Sequence, residues 1–292
     1  MLKIDSALLK KHLDVLSKIV PKKAVIPICE YLLFNKNSIR ASSLDLDALI
    51  FFPGDESNQL KFCINFKDLS AFVKKTYKTV KHYIFEYDED SKIISIFIDE
   101  SSSIKFEGLD PEDFPLSTKR QMTKAMSEEN YQGEGFKKAD TVTLLNDVDL
   151  ENLKSAFTFV STDELRPLMQ HVYIDADNIA ATDANTLYVK QRTKFKDFYF
   201  ECGFETKYIC INEKLFSLME ATKLKSFELA QCGIEKTIIR DHFDDEGNKI
   251  EPEISFVMET GYITAMSEEY NFVARVCAER YPNFKAVIPT RK

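Results

Sequence analysis

The sequence predicts an α+β protein of two similar units, each with helices laid on one face of antiparallel sheet. Three observations carry this: an internal repeat, a switch between helical and strand periods inside each repeat, and a length of 292 residues, enough for about two domains that each bury a core. The repeat comes first. The segment from Pro27, PICEYLLFNKNSIRAS, lines up without a gap on the segment from Pro167, PLMQHVYIDADNIAAT, at an offset of 140, which sets Leu32 on Val172, Phe34 on Ile174 and Ile39 on Ile179. Upstream, the same offset sets Leu13, Ile19 and Val20 on Leu153, Phe159 and Val160. Downstream the offset grows to 147, where FCINFKDLSAF from Phe62 matches ICINEKLFSLM from Ile209, with Cys63 on Cys210 and Asn65 on Asn212. Each unit closes on an aromatic-proline pair, Phe114-Pro115 and Tyr281-Pro282. Four matches in one order point to a duplicated domain.

Within each unit the elements follow the same order. A short strand (Leu2 to Ile4; Thr141 to Leu145) leads into an amphipathic helix. Over about residues 6–20, Leu9, Leu13, Leu16 and Val20 recur at spacings of four, three and four and make one apolar face, with Lys10, Lys11, Asp14 and Lys18 on the other. Alternating strands follow, then a second helix over about 67–80, with Leu69, Phe72, Val73, Thr76 and Val80 as its buried stripe. Lys67, Lys74, Lys78 and Lys81 lie along the opposite side at spacings of seven, four and three, a lysine ridge. Segments such as SKIISIFID from Ser91 and EISFVMETGYITAM from Glu253 alternate and are β-branched or aromatic, as half-buried antiparallel strands are. DDEGNK at 244–249 reads as a hairpin connection. The domains are expected at 1–115 and 140–292, with the polar stretch 116–139, including GEG at 133–135, as a long exposed connector.

Composition narrows the class. With 44% apolar and 29% charged residues, 8 Gly and 9 Pro, collagen-like, low-complexity and disordered readings are excluded. The longest apolar stretches, such as Ile93 to Ile98, fall far short of the roughly 20 residues of a membrane helix. Met1 is followed by Lys3, Asp5 and Lys10 rather than an apolar secretory segment, so a soluble, unprocessed, cytoplasmic protein with no membrane partner is expected. Cys29, Cys63, Cys202, Cys210, Cys232 and Cys277 form no CxxC pair and sit mostly in apolar runs, which favours buried free thiols over a disulfide framework or zinc site.

No constellation meets the requirements of catalysis. The sequence contains no GxxxxGK[ST] phosphate cradle, no GxGxxG, no GxSxG elbow and no HExxH. His12, His82, His171 and His242 stand alone, and His12 lies near the apolar edge of its helix, where packing is favoured over ligation. Asp45, Asp47, Asp244, Asp245 and Glu246 lack the ligand spacing of a calcium loop and read as turn residues. No cofactor, no metal and no enzymatic activity are expected.

Charge is the remaining signal. The net charge of -8 discourages a nucleic-acid partner only if it is spread evenly. It is not. Residues 1–115 hold 16 basic against 18 acidic side chains, yet within them 6–23 carries Lys10, Lys11, Lys18, Lys22 and Lys23 against Asp14, and 67–81 carries Lys67, Lys74, Lys75, Lys78 and Lys81 against Asp68. The corresponding stretches of the second unit, 147–161 and 212–225, are near neutral or acidic. Such segregation suits a phosphate-facing surface that reads no base sequence, because lysines act as point charges.

These residues resemble a known family, the bacterial-type DNA polymerase sliding clamp, the β subunit of the replicative polymerase. The stretch ENLKSAFTFVSTDELRPLMQHVYIDADNIAATDANTLYV (151–189) is similar to the start of that clamp's second domain, and RYPNFKAVIP (280–289) to its F-P-D-Y-R-R-V-hydrophobic-P segment. MLKIDSALLKKHL, VIPICEYLLF and DPEDFP resemble its first domain. The resemblance implies a closed ring of six similar domains, helices lining the hole, that encircles duplex DNA and tethers a polymerase. Lys10, Lys11, Lys18, Lys74, Lys75, Lys78 and Lys81 would then face the hole, with Lys67 on the same ridge, while Lys22, Lys23 and Arg166 sit on loops that approach DNA in the family. Duplex DNA, a replicative polymerase, an ATP-driven clamp loader and further copies of the chain are the partners implied.

Two departures shape the expectation. Clamps of bacterial type have three repeats and close as dimers, whereas this sequence stops ten residues after Pro282, so a head-to-tail homotrimer is expected, with a phage or mobile element as source. The family's client-peptide groove, carried over by position, would include Met169, Thr182, Leu187, Pro282 and Val287. However, its Gly-His-Arg is here Ala184-Asn185-Thr186 and the Arg before the Val is Ala286, so peptide preference should differ, or clients bind along 116–139 instead. The rival readings are a clamp-fold adaptor or decoy that forms no ring, and an unrelated α+β enzyme.

Overall fold

The computed structural model describes residues 1–55, 57–99, 101–126, 136–192, 200–203, 205–244, 246–277 and 280–288, and of 139 and 200–202 the backbone only. GEG at 133–135, Asp245, Pro289 and the Cys202 side chain lie outside the described residues. Two compact units are present: Met1–Thr118 with Ser217–Lys223 and Met266–Val273, and Lys119–Phe216 with Leu224–Ala265 and Ala274–Lys292.

The first unit contains β1 (Leu2–Asp5), α1 (Ser6–Leu16), β2 (Tyr31–Asn35), β3 (Ser38–Ser42), β4 (Leu46–Phe51), β5 (Lys61–Asn65), α2 (Phe66–Thr76), β6 (His82–Asp88), β7 (Ile93–Phe97) and β8 (Ser103–Leu109). Its strands run in the order β1-β6-β7-β8-β5-β2-β3-β4, paired antiparallel. The outer edge of β4 meets segment 266–273, where Phe51 N–H donates to the Glu269 carbonyl at 2.8 Å. Each helix starts at a side-chain cap: Asp5 accepts from the N–H groups of Ala7 and Leu8, and Asn65 from those of Lys67 and Asp68. Leu9, Leu13 and Leu16 of α1 and Leu69 and Val73 of α2 are buried, as their spacing requires. The core beneath holds Phe34 stacked on Phe62 at 4.8 Å, with Phe85 5.4 Å from Phe34.

Both helices are about one turn shorter than their periodicity predicts. α1 ends at Leu16, and α2 at Thr76, whose hydroxyl bonds back to Phe72 O and across to the Tyr83 hydroxyl. That bonding, followed by the β-branched Thr79 and Val80, ends the helix before the ridge does. Lys18, Lys78 and Lys81 therefore lie on the tight turns after the helices, not on them.

The chain from Thr118 on carries α3 (Thr118–Ala125), β9 (Phe136–Leu145), α4 (Asp147–Ala156), β10 (His171–Ile174), β11 (Asn178–Thr182), β12 (Leu187–Gln191), β13 (Phe200–Cys202), β14 (Ile209–Asn212), α5 (Glu213–Thr222), β15 (Phe227–Phe243), β16 (Lys249–Met266) and β17 (Tyr270–Arg275), of which α5 from Ser217 on and β17 up to Val273 belong to the first unit. The second unit has two antiparallel stacks of strands, β16-β15-β9-β13 and β12-β11-β10-β14. The stretch expected as exposed connector is partly ordered structure. Met122 of α3 and Met126, just past its end, are buried with Ile234, and Phe136, Cys232 and Tyr262 pack against them. Two methionines four apart are a one-sided stripe that the surrounding lysines conceal in a compositional reading.

The pairing registers repeat at the offsets read from sequence. Tyr31 opposite Asn65 and Leu33 opposite Cys63 become His171 opposite Asn212 and Tyr173 opposite Cys210. Ser38 opposite Phe51 becomes Asn178 opposite Gln191. Between β15 and β16, Asp244 N–H donates to Asn248 O, and Gly247 stands at φ +84, a conformation open to glycine.

One buried group makes the fold sensitive to pH. His12 is fully buried, its ring 6.0 Å from Tyr270 and 6.5 Å from Phe52, and neither ring nitrogen has a hydrogen-bond partner among the described residues. Burial holds its pKa down at about 4, against the opposing pull of Glu269 and with a further lowering by Lys11. Because the folded value lies below the 6.5 of the unfolded chain, the unfolded state takes up a proton first. Stability is then lost as pH falls from about 6.5 to about 4, by at most roughly 3 kcal/mol. Denaturant unfolding at pH 7 and pH 4.5 should show a loss smaller by about 2 kcal/mol in His12→Leu than in the wild type; equal losses would exclude His12 as the source.

Candidate nucleic-acid interface

α1 and α2 lie against each other. They are tied at one end by Ser6 N–H to Lys81 O and Ser6 Oγ–H to Tyr77 O, both 3.1 Å. This brings the lysines of two sequence stretches onto one surface. Lys10 Nζ and Lys78 Nζ stand 5.7 and 5.9 Å from the centroid of the same ring, Tyr77. Lys18, Lys22, Lys23, Lys67, Lys74, Lys75, Lys78 and Lys81 are exposed, and among the described residues none has a carboxylate partner.

Lys10 and Lys11 differ from the rest. Lys10 is ion-paired with Asp14 one turn away, and Lys11 with Glu269 at 3.1 Å. Burial works to lower the Lys11 pKa, but hydrogen bonds to Glu269 and Tyr270 outweigh it and hold the ammonium above its usual value. These two lysines contribute less net field than their sequence positions suggest. Arg166 stands in the second unit, exposed, its Nε 3.5 Å from Asp163. It lines an open polar groove of about 510 Å³ with Asp163, Asp183 and Asn185, so its charge is also partly offset.

The second unit, from which the five residues carried over for a peptide groove come, holds a packed aromatic cluster. Leu168, Tyr173, Ala180, Cys210, Tyr281 and Phe284 are buried together, with Leu187, Val189, Tyr208 and Cys277 against them. Tyr173 makes ring contacts with Tyr208, Tyr281 and Phe284 at 4.8 to 5.1 Å. Of the five, Leu187 touches this cluster, Met169 and Pro282 are half-buried beside it, and Val287 is 70% exposed. Thr182 is buried, and its hydroxyl closes the following turn by accepting from Ala184 N–H and donating to Thr186 O. Ala184 stands there at φ +78, a conformation that suits glycine. The cavity along the cluster, lined by Leu168, Tyr208, Cys210 and Cys277 among others, is about 10 Å³, room for one water. The sequence reading missed this cluster because its members are spread from 168 to 284, although the aromatic-proline pair at 281 was its visible trace. Lys285 anchors the 280–288 segment through Asp175 at 2.8 Å, which also accepts from Tyr173 OH.

The acidic and thiol side chains have structural places. Asp47 is buried against Arg40 at 3.0 Å and accepts from Thr118 N–H, and Asp244 caps the hairpin turn. Cys29, Cys63 and Cys210 are buried free thiols, the Cys63 pKa pushed up to about 12 by burial. No group of three metal-ligating side chains occurs among the described residues, and none of their helices is long and apolar enough to cross a membrane.

The repeated arrangement of helices on antiparallel sheet is the DNA-clamp fold, as the likeness of this chain to solved clamp structures shows. Among solved structures it is similar to the DNA polymerase sliding clamp of Bacillus subtilis, with a TM-score of 0.63, 17% identity, and coverage of 99% of this chain and 68% of that one. It is also similar to the DNA polymerase III β chain of Streptococcus pneumoniae (TM-score 0.66, 16% identity, 100% and 69% covered) and to the Helicobacter pylori β clamp bound to a DNA ligase peptide (0.67, 13%, 99% and 70%). No family model and no curated protein matches the sequence.

Proposed function

We propose that this protein is a sliding clamp, a processivity factor that encloses duplex DNA, reads no base sequence, tethers a replicative polymerase and catalyses no reaction itself. The observation that carries the reading is the surface of α1, α2 and their following turns. There, eight exposed lysines without carboxylate partners among the described residues gather on a chain of net charge -8 with the clamp fold. A basic lining with an acidic remainder attracts phosphates diffusely and lets the duplex slide. Lys22 and Lys23 are among these eight, and Arg166 is a further candidate DNA contact on a loop of the second unit. With two clamp units per chain and six per ring, three copies arranged head to tail complete the circle, and an ATP-driven loader opens it. A client segment, as the ligase peptide is for the H. pylori clamp, would meet the second unit around Met169, Thr182, Leu187, Pro282 and Val287. We place the protein in the cytoplasm, with a phage as its source.

Light scattering is expected to give three copies of 33.7 kDa, about 101 kDa, and the protein should stay on closed circular DNA and leave it when the circle is cut. A monomer that is not retained would replace this reading with that of a clamp-fold adaptor forming no ring.

A further inference from the structure

We propose that the first unit carries a docking groove for an acidic protein segment with a bulky apolar anchor, in the cleft between the end of α1 and the start of α2. The groove has a volume of about 600 Å³, within the range of ligand-sized pockets. Val20, Pro21, Phe66 and Ala71 give it apolar lining, and Lys22, Lys67 and Lys74 give it a basic rim. The one carboxylate in its wall, Glu30, already accepts from Ala24 N–H at 2.9 Å. Beside it the loop 21–27 exposes Val25 at 97% and Ile26 at 43%, two large apolar side chains in water next to an apolar floor.

The repeat shows that this opening is no necessary consequence of two adjacent helices. Ser17, at the groove, corresponds at offset 140 to Phe157, and Leu69 corresponds at offset 147 to Phe216. Phe157 and Phe216 stack at 5.0 Å, so an aromatic ring stands in the second repeat at the position Ser17 holds in the first. At the groove the first repeat has the small Ser17 where the second has Phe157, and Ala71 where the second has Leu218.

The chemistry selects the occupant. A DNA backbone would engage the rim lysines and leave the apolar floor, Val25 and Ile26 wet. A segment with aspartates or glutamates around one or two bulky apolar side chains satisfies both, with charge complementarity at the rim and apolar burial at the floor. This site goes beyond the clamp reading and does not depend on ring formation.

The test uses the full chain and a short fluorescent peptide with a leucine-phenylalanine pair flanked by aspartates, against the same peptide with serines in place of the pair. The apolar peptide should bind at least about tenfold more tightly. Ser17→Phe, which copies the second repeat's residue, should remove that preference while duplex DNA binding stays unchanged, and Lys67→Glu should weaken both peptides. In amide spectra of the wild type the apolar peptide should shift Val20, Ala71 and their neighbours. Equal binding of the two peptides by the wild type overturns the proposal without recourse to any variant. So does a preference retained in a folded Ser17→Phe, shifts confined to the second unit, or binding of duplex DNA alone.

Discussion

Replacing Lys74, Lys78 and Lys81 together by alanine will weaken duplex DNA binding by roughly one to two orders of magnitude near physiological salt, and will reduce the slope of log K against log salt by about three. All three are exposed without a carboxylate partner among the described residues, so each ammonium is available to a phosphate. Each ammonium removed leaves about one more counterion on the DNA, which is why the salt slope measures the number of lysines engaged. The weakening should be the same on duplexes of any sequence, because no base-reading side chain accompanies the ridge. Lys11→Ala should change the slope much less, since its ammonium is already held by Glu269. Titration of the two variants across a salt series decides the matter. An unchanged slope in the triple variant would remove this face from the DNA-binding surface.

Arg192→Met is expected to destabilise the second unit by about 3–5 kcal/mol, a large part of the 5–15 kcal/mol that holds a typical domain folded. Arg192 and Asp149 are both without side-chain exposure and meet at 2.9 Å. The guanidinium also donates to Thr143 Oγ1, Leu144 O and Asp175 O, linking β9, α4 and the turn after β10. Removing the cation leaves a buried carboxylate with no counter-charge and two carbonyls deprived of a donor. Arg192→Met combined with Asp149→Leu should recover part of the stability, because both charges then leave the interior. Denaturant unfolding of the single and double variants measures both effects; a double variant no more stable than the single one would show that the hydrogen bonds to carbonyls, not the charge pair, dominate. Arg40→Met should cost less, since Arg40 keeps 23% of its side chain in water beside Asp47.

The repeat was legible because its registers are periodic and local: Leu32 on Val172 and Cys63 on Cys210 in the alignment are the same positions in the strand pairs. The helix faces were legible for the same reason, since Leu9, Leu13 and Leu16 share one side whatever they pack against. The helix ends were less so, because α2 stops where Thr76 finds Tyr83, a partner on β6. The segment around α3 within 116–139 was hidden by composition, which averages over Met122 and Met126, while burial follows the side of the chain they share. The peptide residues came from resemblance alone, and at Thr182 and Leu187 the structure has a closed turn and a packed cluster.

What the amino-acid sequence determined by itself is the duplication, the alternation of helix and strand, and the concentration of lysines in two stretches of the first unit. All three are properties of spacing along the chain. Only the tertiary structure decided which of those lysines remain available. The Lys11 charge is answered by Glu269, 258 residues away, and Lys10 by its own helix neighbour, while Lys74, Lys78 and Lys81 meet no carboxylate among the described residues. It alone decided too that a cleft opens between the end of α1 and the start of α2. Apart from the local Lys10–Asp14 pair, four residues apart on one helix, charge compensation and free volume are sums over side chains that folding brings together from distant positions, and no local period encodes them.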